Sequence, residues 1–244
     1  MRYKGIVMYD GTLFSGWQIQ PNQRTVQSEI ESILSIMHKK EVKIVASGRT
    51  DAGVHALGQV FHFDSELDLD EKKWCHALNA QLPSDIRVMD IKQVHDMFHA
   101  RFDAMSKTYI YKLNTSYFDV FSRNYIYQYN KPLDIFKLQE VLQLFIGTHD
   151  FTSFNKTPLD EIVDQVRTIS NFTLVQQSSI IEFEITGSGF LRHMIRMIIA
   201  TCLAYCEGRI SETEIKDALK KRNKDMIPFN ISGSGLYLKE VHYR

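Results

Sequence analysis

The spacing of apolar positions divides the chain into two stretches with the same order of elements. Residues 2–9 alternate as a strand does, and Asp10-Gly11-Thr12 follows with turn chemistry. Between residues 25 and 40, Val26, Ile30, Ile33, Leu34 and Met37 recur on one helical face, with Glu29 and Glu31 early and Lys39 and Lys40 late, as the helix macrodipole favours. Strands are expected over 42–47, 59–63 and 86–94, and a short helix over 70–78. The first stretch therefore reads strand, helix, strand, strand, helix, strand.

That order recurs without obvious sequence similarity. A strand over 107–114 puts Tyr109, Tyr111 and Leu113 on one face, with a short extra strand at 125–129. A helix over 134–145 buries Ile135, Leu138, Val141, Leu142 and Phe145 and stops at Gly147. Strands over 163–174 and 180–186 pair, the second turning Ile181, Phe183 and Ile185 inward. Gly189 opens a helix over 190–206, Ser211 and Glu214 form the capping box of another, and 236–241 is the last strand. Two such units predict an α+β protein of tandem ferredoxin-like (βαββαβ) halves, 1–104 and 105–244, with abutting antiparallel sheets and a ligand cleft where they meet.

Composition narrows the class. With 44% hydrophobic and 24% charged residues the chain is ordinary for a globular protein. No tract is long enough to cross a bilayer and Met1-Arg2-Tyr3-Lys4 leads into a strand, so a cytoplasmic protein is expected. Cys75, Cys202 and Cys206 form an odd set without Cys-x-x-Cys spacing, which speaks against a disulfide framework or zinc site, and the histidines show no metal spacing. Twenty-nine basic residues balance 29 acidic ones, so any phosphate-binding charge must be local. Candidate patches are Arg49 with Arg101 and Lys107, Arg192 with His193 and Arg196, and residues 216–224.

The candidate chemistry lies in Gly48-Arg49-Thr50-Asp51-Ala52-Gly53-Val54-His55-Ala56. After an apolar run, its two glycines allow backbone angles that other residues resist, and Asp51 sits beside a hydroxyl and near a guanidinium. An isolated Asp-x-Gly of this kind is nearly always an Asx turn between strands. The whole string, however, resembles the active-site motif of the tRNA pseudouridine synthase A family. Further blocks in family order are Tyr9-Asp10-Gly11-Thr12, Gly16-Trp17-Gln18-Ile19-Gln20, Arg24-Thr25-Val26-Gln27, Asn79-Ala80-Gln81-Leu82-Pro83, Phe98-His99-Ala100-Arg101-Phe102, Asp150-Phe151-Thr152-Ser153-Phe154 and Gly235-Leu236-Tyr237-Leu238. The likeness runs nearly end to end.

The resemblance implies two ferredoxin-like halves around an RNA-binding cleft and isomerisation of uridine to pseudouridine in the anticodon stem-loop of tRNA, at consecutive uridines on its 3′ side. It makes Asp51 the catalytic nucleophile. It assigns Arg196, in the block from Phe190 to Arg196, to the ion pair that keeps a carboxylate charged, and Tyr109 to the aromatic face that stacks on the flipped uracil. Arg49 is expected on RNA backbone or as a wedge, Leu236 as an apolar wall, and Arg101, Arg192 and His193 among the substrate contacts. No cofactor is implied, and the family works as a homodimer. Met197 and Ala200 depart from the Asn and Gly usual there, which points to a narrowed or shifted set of uridines. Two rival classes are a non-catalytic RNA binder, which gains nothing from a carboxylate facing phosphates, and a glycosidase, which wants a second carboxylate that only Asp10 approaches.

Overall fold

In a computed structural model describing residues 1–244, the chain is α+β and divides into two compact units, residues 1–107 with 237–244, and residues 108–236. The first contiguous stretch therefore ends three residues beyond the expected division at 104, and most of the last strand groups with the first unit.

The first unit is built on β1 (Arg2–Tyr9), β3 (His55–Asp64) and β4 (Ile86–Val94), with β1 central and antiparallel to both. Alternate residues of β1, Tyr3, Gly5, Val7 and Tyr9, are buried. Helix α1 (Val26–His38) is capped by Thr25 and Ser28 and buries Val26, Ile30, Ile33 and Leu34; α2 (Glu71–Asn79), capped by Asp70, buries Trp74 and Leu78.

The expected strand over 42–47 contracts to β2 (Val45–Ala46), paired with β3. Side chains of α1 supply the reason: Ser35 Oγ accepts the Val42 N–H at 3.0 Å and the buried Glu31 carboxylate accepts the Ile44 N–H at 3.0 Å, so these groups are spent before a ladder can form. Conversely, β3 begins at His55, four residues before the expected start, within the last residues of the motif that runs from Gly48 to Ala56. β10 (Leu236–His242) runs parallel to β3, pairing Tyr237 with His55.

In the second unit the strand order is β5 (Ser106–Asn114), β9 (Ile180–Gly187), β8 (Val166–Gln177) and β7 (Gly147–Asp150), with β6 (Tyr127–Gln128) parallel to β5. Ile181, Phe183 and Ile185 are buried as their alternation requires. Helix α3 (Ile135–Leu142) tightens into a 3-10 turn over Gln143–Phe145, which ends at Ile146 in extended conformation, one residue before Gly147 at φ +110° opens β7.

Helix α4 (Met194–Cys206) starts four residues later than its apolar pattern suggests. Thr157 Oγ1 accepts the Arg192 N–H at 3.0 Å and the Arg192 carbonyl accepts the Lys156 N–H, while His193 takes the left-handed conformation at φ +63°. No helical turn can pass through that geometry. Helix α5 (Glu212–Ala218) has the expected Ser211–Glu214 capping box. None of the helices is long and apolar enough to cross a membrane.

Candidate active site

The loop between β2 and β3 is held by its backbone carbonyls. Ser47 O accepts from Lys107 Nζ at 2.6 Å and Gly48 O from Gln59 Nε2 at 2.9 Å. Thr50 O accepts from the Trp17 N–H at 3.1 Å, and Asp51 O from the Val54 N–H at 3.1 Å. Buried side chains add to this: Ser47 Oγ donates to Gln59 Oε1 at 2.7 Å, and Tyr9 Oη lies 2.8 Å from Thr50 Oγ1. Burial pushes the Tyr9 phenol up, so it stays neutral at any ordinary pH. Asp51 is half-exposed at the crest of this loop, beside exposed Arg49.

The two glycines of the motif have different jobs. Gly53 sits at φ +73°, where a side chain is disfavoured. Gly48 adopts no such angle; it leaves space for Lys107, whose Nζ would lie 2.8 Å from an added β-carbon. The following residues anchor the loop's far end: buried His55 accepts the Gly11 N–H on Nδ1 at 3.0 Å, lies 3.2 Å from Asp10 Oδ1, and stacks on Tyr237 at 4.6 Å. Asp10 also accepts from the Thr12 N–H and hydroxyl, which is turn work rather than acid catalysis.

Arg101 is exposed, as a phosphate contact would be. Lys107 is not the surface cation that its patch suggests. Burial, and after it the Arg101 charge, press its ammonium down to about 8. Motif reading passes over this contact, because sixty residues separate Lys107 from Ser47 and no local pattern connects them.

In the second unit, Tyr109 on β5 is buried to 7% exposure and meets the Phe190 ring edge-on at 5.3 Å. Tyr111 is plain core, fully buried, its hydroxyl donating to Ser232 O at 2.9 Å. Arg196, in the first turn of α4, donates Nε to Ile231 O at 2.7 Å and brings Nη1 to 3.4 Å from His193 Nε2; Asn230 Nδ2 lies 3.1 Å from the other ring nitrogen. Thus His193 and Arg196 are brought together, whereas exposed Arg192 turns to Lys156 O at 2.6 Å. Leu236 is buried.

The turn before α4 rests on a polar network that the motif blocks only touch. Lys224 Nζ donates to Asn155 Oδ1 at 2.8 Å and to Gln165 Oε1 at 2.7 Å, and Asn155 donates to Phe151 O at 2.7 Å. The cysteine thiols are free, and burial raises all three, Cys206 to about 11, which leaves no thiolate for catalysis near neutral pH.

Comparison with known proteins bears on this arrangement. A family model described as tRNA pseudouridine synthase matches residues 6–103 and 141–244. The tRNA pseudouridine synthase A of Bacillus pumilus is 46% identical over 246 residues, spanning 100% of this chain and 99% of that protein. The Bacillus subtilis protein of the same name is 44% identical over the same span, with the same coverage. Among solved structures, a chain of a Cbf5-Nop10-Gar1 complex aligns with 96% of this chain and 56% of its own at TM-score 0.34 and 12% identity, too remote to carry an argument.

Proposed function

The chain belongs to the tRNA pseudouridine synthase family, isomerases that act on tRNA, and from that premise we propose that it converts uridine to pseudouridine in the anticodon stem-loop, with Asp51 as the nucleophile. The observation that supports this most is the tethering of the Asp51 loop: the carbonyls of Ser47, Gly48, Thr50 and Asp51, leading up to and including the residue with the half-exposed carboxylate, are each taken by a donor. A turn residue needs no such scaffold, but a reacting group does.

The chemistry is an internal exchange. The Asp51 carboxylate attacks C1′ of the ribose as the bond to uracil N1 breaks; the freed ring turns, and C5 displaces the carboxylate to form the new carbon–carbon bond. C5 then loses its proton and N1 gains one, so atoms balance without a carrier. Tyr109 gives the detached ring an apolar face, and Arg196 is the guanidinium that favours an ionised carboxylate. Arg49, Arg101, Arg192 and His193 contact the RNA, Leu236 walls the pocket, and the enzyme works as a cytoplasmic homodimer. The base must leave its stack before C1′ can be reached. The β4-β1-β3 order, with β2 antiparallel to β3, supports a ferredoxin-like first half.

Mapping pseudouridine by carbodiimide primer extension on unmodified tRNA transcripts tests the reading. Stops are expected on the 3′ side of the anticodon stem-loop, fewer than the full set if Met197 and Ala200 narrow the target. Stops confined to another arm would overturn the assignment of site.

A further inference from the structure

We propose that Lys107 is a positioning residue for the reaction, clamping the start of the Asp51 loop by holding the Ser47 carbonyl over the open face of Gly48. The inference rests on Asp51 being the nucleophile. Every polar group of buried Ser47 is committed: its N–H donates to Val60 O at 2.7 Å, its hydroxyl to Gln59 Oε1 at 2.7 Å, and its carbonyl accepts from Lys107 Nζ at 2.6 Å. The fit is reciprocal, because a β-carbon on Gly48 would stand 2.8 Å from that ammonium. The first glycine of the motif is thus explained by the lysine rather than by backbone angle.

A solvated lysine recruited for phosphate would keep its ordinary basicity. Lys107 is instead desolvated and faces the charge of Arg101, which lowers its pKa to about 8. A cation is held at such cost where a partner needs it. Asp51 follows Ser47 by four residues, and slack at the loop's start passes to the carboxylate.

The test measures tritium release from tRNA labelled at uracil C5 for wild type, Lys107→Met, Lys107→Arg and Asp51→Asn. Lys107→Met is expected to lose about tenfold to a hundredfold in kcat, the scale of an ångström of misplacement. Its KM for tRNA should stay within about twofold, since ground-state binding is untouched. Lys107→Arg still donates to the carbonyl and should recover most of the loss. Wild-type kcat in Lys107→Met overturns the inference, and an inactive Asp51→Asn beside it leaves the nucleophile standing. A raised KM with unchanged kcat also overturns it, because Lys107 would then serve binding. Turnover by Asp51→Asn instead removes the reading beneath. Should Lys107→Met fail to fold, Gly48→Ala probes the clamp from its other side; an unperturbed kcat there contradicts the proposal.

Discussion

The Asp51 loop and the turn that leads into α4 both carry candidate site residues, yet they are fixed in opposite ways. In the loop, the backbone is the thing held: separate donors from Lys107, Gln59 and Trp17 each take one carbonyl. Before α4, side chains hold one another, with Asn155, Gln165 and Lys224 forming the knot, and the strain is stored at His193 in the left-handed region. The difference teaches that a short, half-exposed loop can be made rigid without a core of its own, provided its acceptors are captured singly.

That contrast can be broken by single substitutions. The largest effect is expected from Gln59→Leu, which strips the Gly48 carbonyl and the Ser47 hydroxyl of a buried partner together; about 3 kcal/mol of stability should be lost, read by urea denaturation, and kcat should fall with it. A loss too small to resolve would mean that Gln59 is not an anchor. Lys224→Met removes a charged donor from two amide oxygens and should cost about 2 kcal/mol, with amide exchange accelerating over residues 151–157. Unchanged exchange there would show that the knot holds without its lysine. Tyr9→Phe should cost about 1 kcal/mol, since the Thr50 hydroxyl loses a buried partner.

His193→Gly sharpens the comparison in the other direction. It relieves a left-handed cost of about 1 kcal/mol, so the melting temperature should hold or rise while turnover falls. A further effect concerns pH. Burial, then the charges of Arg2 and His99, hold His62 down to about 4, from an ordinary 6.5, while its Nδ1 accepts the Ala100 N–H at 3.1 Å. The unfolded chain therefore binds this proton first, and the stability His62 supplies above pH 6.5 is lost as pH falls toward 4. Denaturation midpoints of His62→Gln should show a shallower fall across that window.

Much of this was legible in the sequence where a local rule decides. Residues 2–9 and 86–94 are strands to the residue, because alternation and flanking turns set their ends. Ser211 and Glu214 cap a helix as their spacing requires. What escaped is non-local. The 42–47 strand shrinks because Ser35 and Glu31 take its N–H groups, and α4 starts late because Thr157 takes that of Arg192. Likewise Asp51 stood out through its motif, whereas Lys107, Gln59 and Lys224 act across long loops and carry no local signature.

In the proposed mechanism one carboxylate does the bond exchange from a loop built to hold it still. Single-turnover tritium release from tRNA labelled at uracil C5 tests it most directly, comparing wild type with Asp51→Asn at equal tRNA occupancy. Release in the wild type with none in Asp51→Asn, while tRNA binding is kept, is the predicted result; equal release from the two would contradict it.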